Sequence, residues 1–330
     1  MRDARASAPG AVPVLPLSTG AALPHVRILM GTWEGGAHLR AQLDSFADQT
    51  HGDWSLWVSD DGSRDDTRAV LAGFAADHST REIRLFDGPR AGAAANYLSL
   101  LSRPELPRDG AVIALSDQDD VWMPDRLAQA LAHLARHPDD RPVLYAANTV
   151  LTDRALRPIR QIAPRGEAPG FENALVQNIV AGNTVALNPA AAAVARGAIP
   201  PGPVPYHDWW LYLLITGAGG IVAYDRGQRL WYRQHEGNVL GAHRGARAGL
   251  RRVRLMLDGT YGGWLRDNLA ALEAVAAHLT PEHAAQVARL RADAGRGGWT
   301  RWRSLKAAGI HRKSWLGTLA LAGLAIAGRI

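Results

Sequence analysis

One stretch decides the fold of this chain: Ala111-Val112-Ile113-Ala114-Leu115-Ser116-Asp117-Gln118-Asp119-Asp120. Its apolar half predicts a buried strand, and its acidic residues begin where that strand ends. In an open parallel sheet, ligands bind beyond the carboxyl ends of the strands. The stretch therefore predicts a central strand with a functional site at its end.

Similar units lie on both sides of this stretch. Further strands are predicted at residues 26–30, 54–58, 83–86 and 143–145, with helical patterns between them. Strands that alternate with helices imply an α/β fold in which helices cover both faces of a mainly parallel, Rossmann-like sheet. After residue 150 the pattern loosens. Helices are predicted there at residues 171–180, 208–214, 250–257, 261–279 and 282–294, a strand at 185–187, and turns at Pro158, Pro164 and Pro169.

A second acidic cluster, Asp60 and Asp61, follows the predicted strand at 54–58. Carboxylates brought together repel one another unless a cation or hydrogen bonds compensate. Hard oxygen ligands suit Mg²⁺ or Mn²⁺, which share their coordination with substrate phosphates. The alternative is that acidic residues after strands cap helices. We favour capping for Asp65 or Asp66 alone, and a metal for the run that contains Asp117 and Asp119.

Two glycine-rich phosphate motifs are missing from the sequence. The turn after the first strand, residues 31–36, does not match G-x-G-x-x-G, and a Walker-type loop is absent too. Any phosphate bound here would therefore have to be held by a metal and polar side chains.

Three later residues are candidates for the same site. Asp208 lies beside Trp209 and Trp210, whose aromatic faces suit a sugar ring, and a carboxylate there could take a proton from a hydroxyl group. The alternative is a buried helix that begins with a capping Asp. Arg233 could contact phosphate and His235 could ligate the metal, although a lone His is as often structural.

The ends of the chain differ from its middle in composition. Residues 1–25 are rich in Ala and Pro and predict a disordered leader. The net charge is +6, and the basic excess falls in the C-terminal third, which indicates an anionic partner such as a membrane or nucleic acid. The apolar tract 315–330 is shorter than the ~20 residues of a spanning helix. We expect 301–330 to lie on a membrane, with packing onto the protein as the alternative.

Nucleic acid is not expected as a partner, because leucines share the basic region at helical spacing, as in an amphipathic surface helix. The chain has no Cys, which excludes disulfides and fits a reducing compartment. We therefore expect a cytoplasmic protein at the inner face of the cell membrane.

The chain resembles the family 2 glycosyltransferases, which have the GT-A fold. Six segments carry the resemblance over roughly residues 25–240: 31–34, 43–50, 59–65, 96–97, 115–122 and 207–210. The resemblance implies a GT-A domain at 26–240, with a nucleotide-binding half (26–150) and an acceptor half (151–240). It leaves a basic helical extension at 241–330.

The resemblance also implies roles for individual residues. The nucleotide base and ribose would contact Thr32, Glu34, Asn96 and either Asp60 or Asp61. Asp117 and Asp119 match the family's D-x-D motif, with Asp119 as the main metal ligand, and Asp208 matches the general base of an inverting displacement. The turn at Trp33 and Glu34 departs from the family's usual Tyr-Asn.

Within the family, the segments 116–122, 207–210 and 233–235 resemble bacterial rhamnosyltransferases of surface-polysaccharide assembly. This resemblance implies dTDP-L-rhamnose as donor and a glycan or lipid-linked saccharide as acceptor. Two alternatives stay open: a non-catalytic nucleotide-sugar-binding partner of a polysaccharide complex, and a metal-dependent nucleotidyltransferase or phosphohydrolase.

Overall fold

A computed structural model describes residues 23–161, 170–235, 254–255 and 258–330. Most of the predicted leader, the predicted turns at Pro164 and Pro169, most of the predicted helix at 250–257 and the predicted boundary at 240 lie outside these residues.

The described strands form one sheet. They are β1 (Val26–Thr32), β2 (Trp54–Asp60), β3 (Ile83–Asp87), β4 (Val112–Ser116), β5 (Val121–Trp122), β6 (Val143–Thr152), β7 (Pro158–Gln161), β8 (Ala186–Leu187) and β9 (Ile221–Arg233). Their order is β3-β2-β1-β4-β8-β6-β9-β5, and β7 pairs with β6. The longer strands β1, β2, β3, β4, β6 and β9 all run in one direction, because the short antiparallel β8 links β4 to β6. The predicted mainly parallel α/β sheet is confirmed.

The helices cover both faces of this sheet. They are α1 (Gly36–Ala47), α2 (Thr67–Asp77), α3 (Ala93–Leu101), α4 (Arg126–Leu134), α5 (Phe171–Ala174), α6 (Pro189–Gly197), α7 (His207–Gly217), α8 (Thr260–Ala274), α9 (Pro281–Asp293), α10 (Gly298–Ala307) and α11 (Trp315–Ile326). Short 3₁₀ turns lie at Gly182–Thr184 and Ala276–His278.

Each face of the sheet carries its own apolar core. Ile28 and Met30 point to the face covered by α1, α2 and α4, whereas Leu29 between them points to the opposite face. This alternation is the period of two that a strand imposes on its side chains. On the second face α7 lies at the centre, and Leu213 and Trp210 are fully buried there. Both faces are thus filled, which explains why the central strands read as continuous apolar runs.

Three of the strands were not predicted from the sequence. In β9 the apolar pattern is broken by Asp225 and Arg229, which are buried as an ion pair with 2.6 Å between Arg229 Nε and Asp225 Oδ2. β5 and β7 are too short to carry a pattern of their own. The helix predicted at 171–180 is wrong in length, since α5 spans only Phe171–Ala174.

The C-terminal helices pack onto the second face of the sheet. Leu272, Val287, Ile310 and Leu321 belong to the same core as α7. Among the described residues, none of the helices is both long and apolar enough to cross a lipid bilayer.

Candidate active site

The strand register brings the predicted site residues to one edge of the sheet. Thr32 at the end of β1 pairs with Asp60 at the end of β2, and Met30 pairs with Ser116 at the end of β4. Because these three strands are parallel, the polar residues that follow them gather at a common edge.

The acidic run after β4 forms a compact cluster. Asp117, Asp119 and Asp120 each offer a carboxylate oxygen, and these oxygens lie within 4.8 Å of one another. Asp120 is fully buried and accepts hydrogen bonds from Asn183 Nδ2 at 2.6 Å and from the Arg233 backbone at 3.2 Å. Asp120 therefore supports the site from beneath, whereas Asp117 and Asp119 are partly exposed.

The carboxyl groups of the cluster resist ionisation. Burial, together with repulsion from Asp119, raises the pKa of Asp117 to about 7. Burial, together with repulsion from Asp119 and Asp117, raises the pKa of Asp120 well above its usual value. Charges that raise one another's pKa in this way indicate a place that a bound cation would stabilise.

A buried arginine lies under the acidic cluster. Arg126 is fully buried, donates from Nη2 to the carbonyl oxygens of Leu115 and Asn183, and stacks 3.3 Å from the centre of the Trp122 ring. Burial lowers its pKa to about 9, so the guanidinium keeps its charge at neutral pH. Its electrostatic coupling to Asp120 and Asp117 partly balances the cluster.

At the end of β2, both carboxylates are held by the protein itself. Asp60 accepts hydrogen bonds from Thr32 Oγ1 at 3.1 Å and from Ser63 Oγ at 2.5 Å. Asp61 accepts from the backbone N–H groups of Arg90 at 2.6 Å and Gly92 at 2.8 Å. These bonds fix the loops that surround the edge, next to the residues predicted to contact the nucleotide.

The predicted residues Glu34 and Asn96 lie near these loops. Glu34 has a positive φ of 49° and its Oε1 accepts from the Arg64 backbone at 2.8 Å. Asn96 is buried and donates from Nδ2 to the Ser59 carbonyl at 2.8 Å. Its Oδ1 meets no donor among the described residues and lies against Gly88, where a Cβ would come within 2.6 Å of it. Gly88 thus leaves room for this amide.

Gln118 joins the acidic run to the turn after β1. Its Oε1 accepts from the Trp33 backbone N–H at 2.9 Å, and its Nε2 donates to the Trp33 carbonyl at 2.8 Å. The Trp33 side chain itself is 63% exposed. The residue that interrupts the D-x-D motif thus has a positioning role that the sequence did not reveal.

Asp208 lies in the first turn of α7. Its Oδ2 accepts from the Gly182 backbone at 3.1 Å and its Oδ1 from the Trp209 backbone at 2.7 Å. Asp208 is also close enough to Asp117 to raise that residue's pKa by repulsion. The structure therefore brings the predicted base to the acidic cluster.

The two tryptophans beside Asp208 are buried and are not accessible to a substrate. Trp210 is fully buried, and Trp209 is buried with its Nε1 donating to the Ala174 carbonyl at 2.7 Å. The expectation that these rings stack on a sugar is therefore wrong. They belong to the core because α7 is the central helix of its face.

An aromatic pair joins α7 to the acidic run. The rings of Tyr97 and His207 stack with 3.9 Å between their centroids, and Tyr97 donates its hydroxyl to Asp117 Oδ1 at 2.9 Å and to the Ser116 carbonyl. Burial lowers the pKa of His207 and raises that of Tyr97. Sequence reasoning gave neither residue a role. Only the fold places residues this far apart in contact.

At the end of β9, both predicted residues contact Asp119. Arg233 donates from Nε to the Asp119 carbonyl at 2.9 Å and from Nη1 to the Arg154 carbonyl at 2.6 Å. His235 Nε2 lies 2.7 Å from Asp119 Oδ2. His38 of α1, which the sequence did not single out, lies 5.0 Å from the His235 ring, and burial lowers its pKa.

Comparison with solved structures identifies the fold. The S. aureus TarS fragment 1-349 in complex with UDP-GlcNAc is similar over 92% of this chain and 88% of its own, with 14% identity and a TM-score of 0.56. GalNAc-T7 with UDP, GalNAc and Mn²⁺ is similar over 89% of this chain and 56% of its own, with 11% identity and a TM-score of 0.51. The fold is therefore the GT-A fold of glycosyltransferases.

The sequence comparisons identify the class of enzyme. Residues 28–184 match the model for glycosyl transferase family 2. The dTDP-rhamnosyl transferase RfbG of Shigella flexneri is 25% identical over 238 residues, which cover 70% of this chain and 80% of that protein. Residues 28–184 form a family 2 glycosyltransferase domain, and the chain is a glycosyltransferase, as its sequence predicted.

Proposed function

We propose that the chain is a metal-dependent, inverting glycosyltransferase that takes L-rhamnose from dTDP-L-rhamnose. The observation that carries this proposal is the juxtaposition of the carboxylate cluster of Asp117 and Asp119 with the carboxylate of Asp208. The similarity to the dTDP-rhamnosyl transferase RfbG supports the donor.

The residues present fit a divalent cation. The cluster offers only hard oxygen donors, with a nearby imidazole, and burial together with repulsion from Asp119 raises the pKa of Asp117 to about 7. Asp119 and Asp117 would hold Mg²⁺ or Mn²⁺, and His235 would either complete the set or orient Asp119. A metal bound there supplies charge neutralisation for the diphosphate of the donor.

The other residues then bind and orient the reactants. Thr32, Glu34, Asn96 and the pair Asp60 and Asp61 would form the nucleotide pocket at the ends of β1 and β2. Arg233 holds the acidic run in place through the Asp119 carbonyl, since its Nε is used there. In this proposal Arg233 would also contact a phosphate group of the donor.

Asp208 would act on the acceptor. As the acceptor oxygen attacks the anomeric carbon, its proton passes to Asp208 and the bond from that carbon to the diphosphate oxygen breaks. One displacement of this kind inverts the anomeric configuration. The acceptor is a glycan or a lipid-linked saccharide in this proposal, and the site of action is the cytoplasmic face of the membrane.

The test measures products with the full chain. Incubation with dTDP-L-rhamnose, Mn²⁺ and a saccharide acceptor should release intact dTDP in step with inverted glycoside, and EDTA should stop both. UDP-GlcNAc and GDP-mannose serve as matched donors. Release of pyrophosphate or free phosphate instead of dTDP would contradict sugar transfer. Faster turnover of UDP-GlcNAc or GDP-mannose would contradict only the assignment of rhamnose as the donor sugar.

A further inference from the structure

The last two helices leave one apolar face uncovered. On α11, Trp315, Leu316 and Leu319 are 71%, 61% and 58% exposed, and Ile326 further along is 39% exposed. The inner face of the same helix is buried through Leu321 and its neighbours. Large apolar side chains that share one exposed face mark an interaction surface rather than chance exposure.

This surface is held rigidly on the protein. α10 and α11 form an antiparallel hairpin that is closed where Gly298 meets the Ile326 carbonyl, since a Cβ at Gly298 would lie 2.0 Å from that oxygen. The loop between the helices is tied to the catalytic domain, because Asn173 Nδ2 donates to the His311 carbonyl at 3.1 Å. The exposed face is therefore presented in a fixed orientation.

The hairpin itself carries only basic charges. Residues 294–330 contain no Asp or Glu, and their charged side chains are all Arg or Lys. On α10, Trp299, Arg303 and Lys306 are all exposed and share one face at i, i+4 and i+7. An aromatic residue beside basic ones is typical of a helix at the membrane interface.

The charge pattern and the apolar face of this surface distinguish between its possible partners. A second copy of the same surface would bring like charges together in a two-fold interface. A nucleic acid would leave the apolar face of α11 without a partner. A spanning role is excluded for α11 by its 12 residues, because a span needs about 20.

We propose that the α10–α11 hairpin docks the protein onto an anionic lipid bilayer. Trp315, Leu316 and Leu319 enter the headgroup region, while Arg303 and Lys306 pair with lipid phosphates. The helix lies in the plane of the interface. This surface is separate from the site proposed for transfer, and neither role depends on the other.

Vesicle co-sedimentation of the full chain tests this docking. The protein should sediment with phosphatidylcholine vesicles that contain phosphatidylglycerol and stay in solution with phosphatidylcholine alone. The double variant Leu316→Ser/Leu319→Ser and the charge variant Arg303→Glu/Lys306→Glu should each bind anionic vesicles at least about 10-fold more weakly. All of these side chains are exposed, so unchanged melting temperatures would verify folding.

Matched controls carry the same changes elsewhere. Ile159→Ser removes an apolar residue that is 62% exposed on β7, and Arg136→Glu reverses an exposed charge after α4. Both should bind vesicles like the parent chain. Absence of vesicle binding, equal losses in the controls, or a dimer in size-exclusion chromatography that Leu316→Ser/Leu319→Ser abolishes would each overturn the proposal. The assay contains no sugar donor, so its outcome leaves the transferase proposal untouched.

Discussion

Two backbone N–H groups hold the carboxylate of Asp208 in place. Because Gly182 and Trp209 each donate to a different carboxylate oxygen, the side chain cannot rotate without losing a bond. A carboxylate fixed in this way is well suited to meet a substrate hydroxyl in one orientation.

Replacing Asp208 with Asn tests its role as the base. Asn keeps the size and one accepting oxygen, but it cannot take up the proton. We expect kcat to fall by about 10²–10⁴ while the nucleotide binds as before, because the acidic cluster is unchanged. Glu105→Gln, on an exposed loop, is the control. Loss of nucleotide binding in Asp208→Asn with kcat kept would assign this residue to the donor instead.

The stability of the metal-free protein should depend on pH through Asp117. Its pKa is about 7 in the folded chain and about 3.9 when unfolded. Between these values the folded state binds a proton that the unfolded state has released, so this group's contribution to stability decreases as the pH rises from about 4 to 7. In EDTA, the melting temperature of Asp117→Asn should gain on the parent between pH 5 and 7.5. Parallel pH profiles would contradict this prediction.

The sequence revealed some of the site's residues and concealed others. Asp117 and Asp119 could be assigned to the candidate site because they follow a predicted strand, whereas Asp208 was assigned to it mainly through the family resemblance. Tyr97, Arg126 and others such as Gln118 and His38 could not, because their contacts join segments far apart in the chain. Long-range contacts leave no periodic signal in a single sequence.

At the scale of elements, the β1 to β4 half of the fold was readable from sequence. β1, β2 and β4 are buried on both faces and therefore read as apolar runs. β9 was not readable, since its ion pair of Asp225 and Arg229 is buried in a strand that appears polar. The sheet order, with β8 inserted between β4 and β6, also has no local signature.

The Gly182–Thr184 turn packs closely against the start of α7. A Cβ on residue 182 would lie 2.8 Å from His207 Nε2 and 3.2 Å from Asp208 Cβ. Gly182→Ala should therefore push α7 away from the turn, cost about 1–3 kcal/mol of stability and lower kcat at least about 10-fold.

A matched glycine separates this effect from backbone propensity. A Cβ added at Gly73 in α2 would meet nothing within 4 Å, so Gly73→Ala should stabilise the fold by about 0.5–1 kcal/mol and leave kcat unchanged. Thermal unfolding and steady-state assays measure both. Equal behaviour of the two variants would show that close approach at residue 182 does not matter.

For the whole molecule, the C-terminal helices are part of the fold rather than an appendage. Ile310, Leu321 and Leu324 belong to the core that contains α7, and Gln286 Nε2 donates to the Ala308 carbonyl at 2.8 Å. The basic composition of this region suggested a separate extension. The apolar residues on its inner faces show the packing, which composition alone could not.

Removal of residues 295–330 should therefore destabilise the catalytic domain. Each of the three buried side chains contributes about 1.5–3 kcal/mol when buried, so we expect a large fall in melting temperature. The Leu316→Ser/Leu319→Ser chain, whose changes are all on the exposed face, serves as control and should melt like the parent. Retention of the parent melting temperature by the truncated chain would contradict a shared core.

The buried guanidinium of Arg126 allows the acidic site to fold before a cation binds to it. Many small metalloproteins stay unfolded until their ion arrives, because nothing else offsets the ligand charges. Here a permanent resident cation, stacked on Trp122 and bonded to the end of β4, offsets part of that charge from within. The chain can thus reach its folded state with the site empty, and in the proposed mechanism a divalent ion would enter and leave with each nucleotide. The concentration of the metal ion would then set the rate of turnover and would leave the amount of folded protein unchanged.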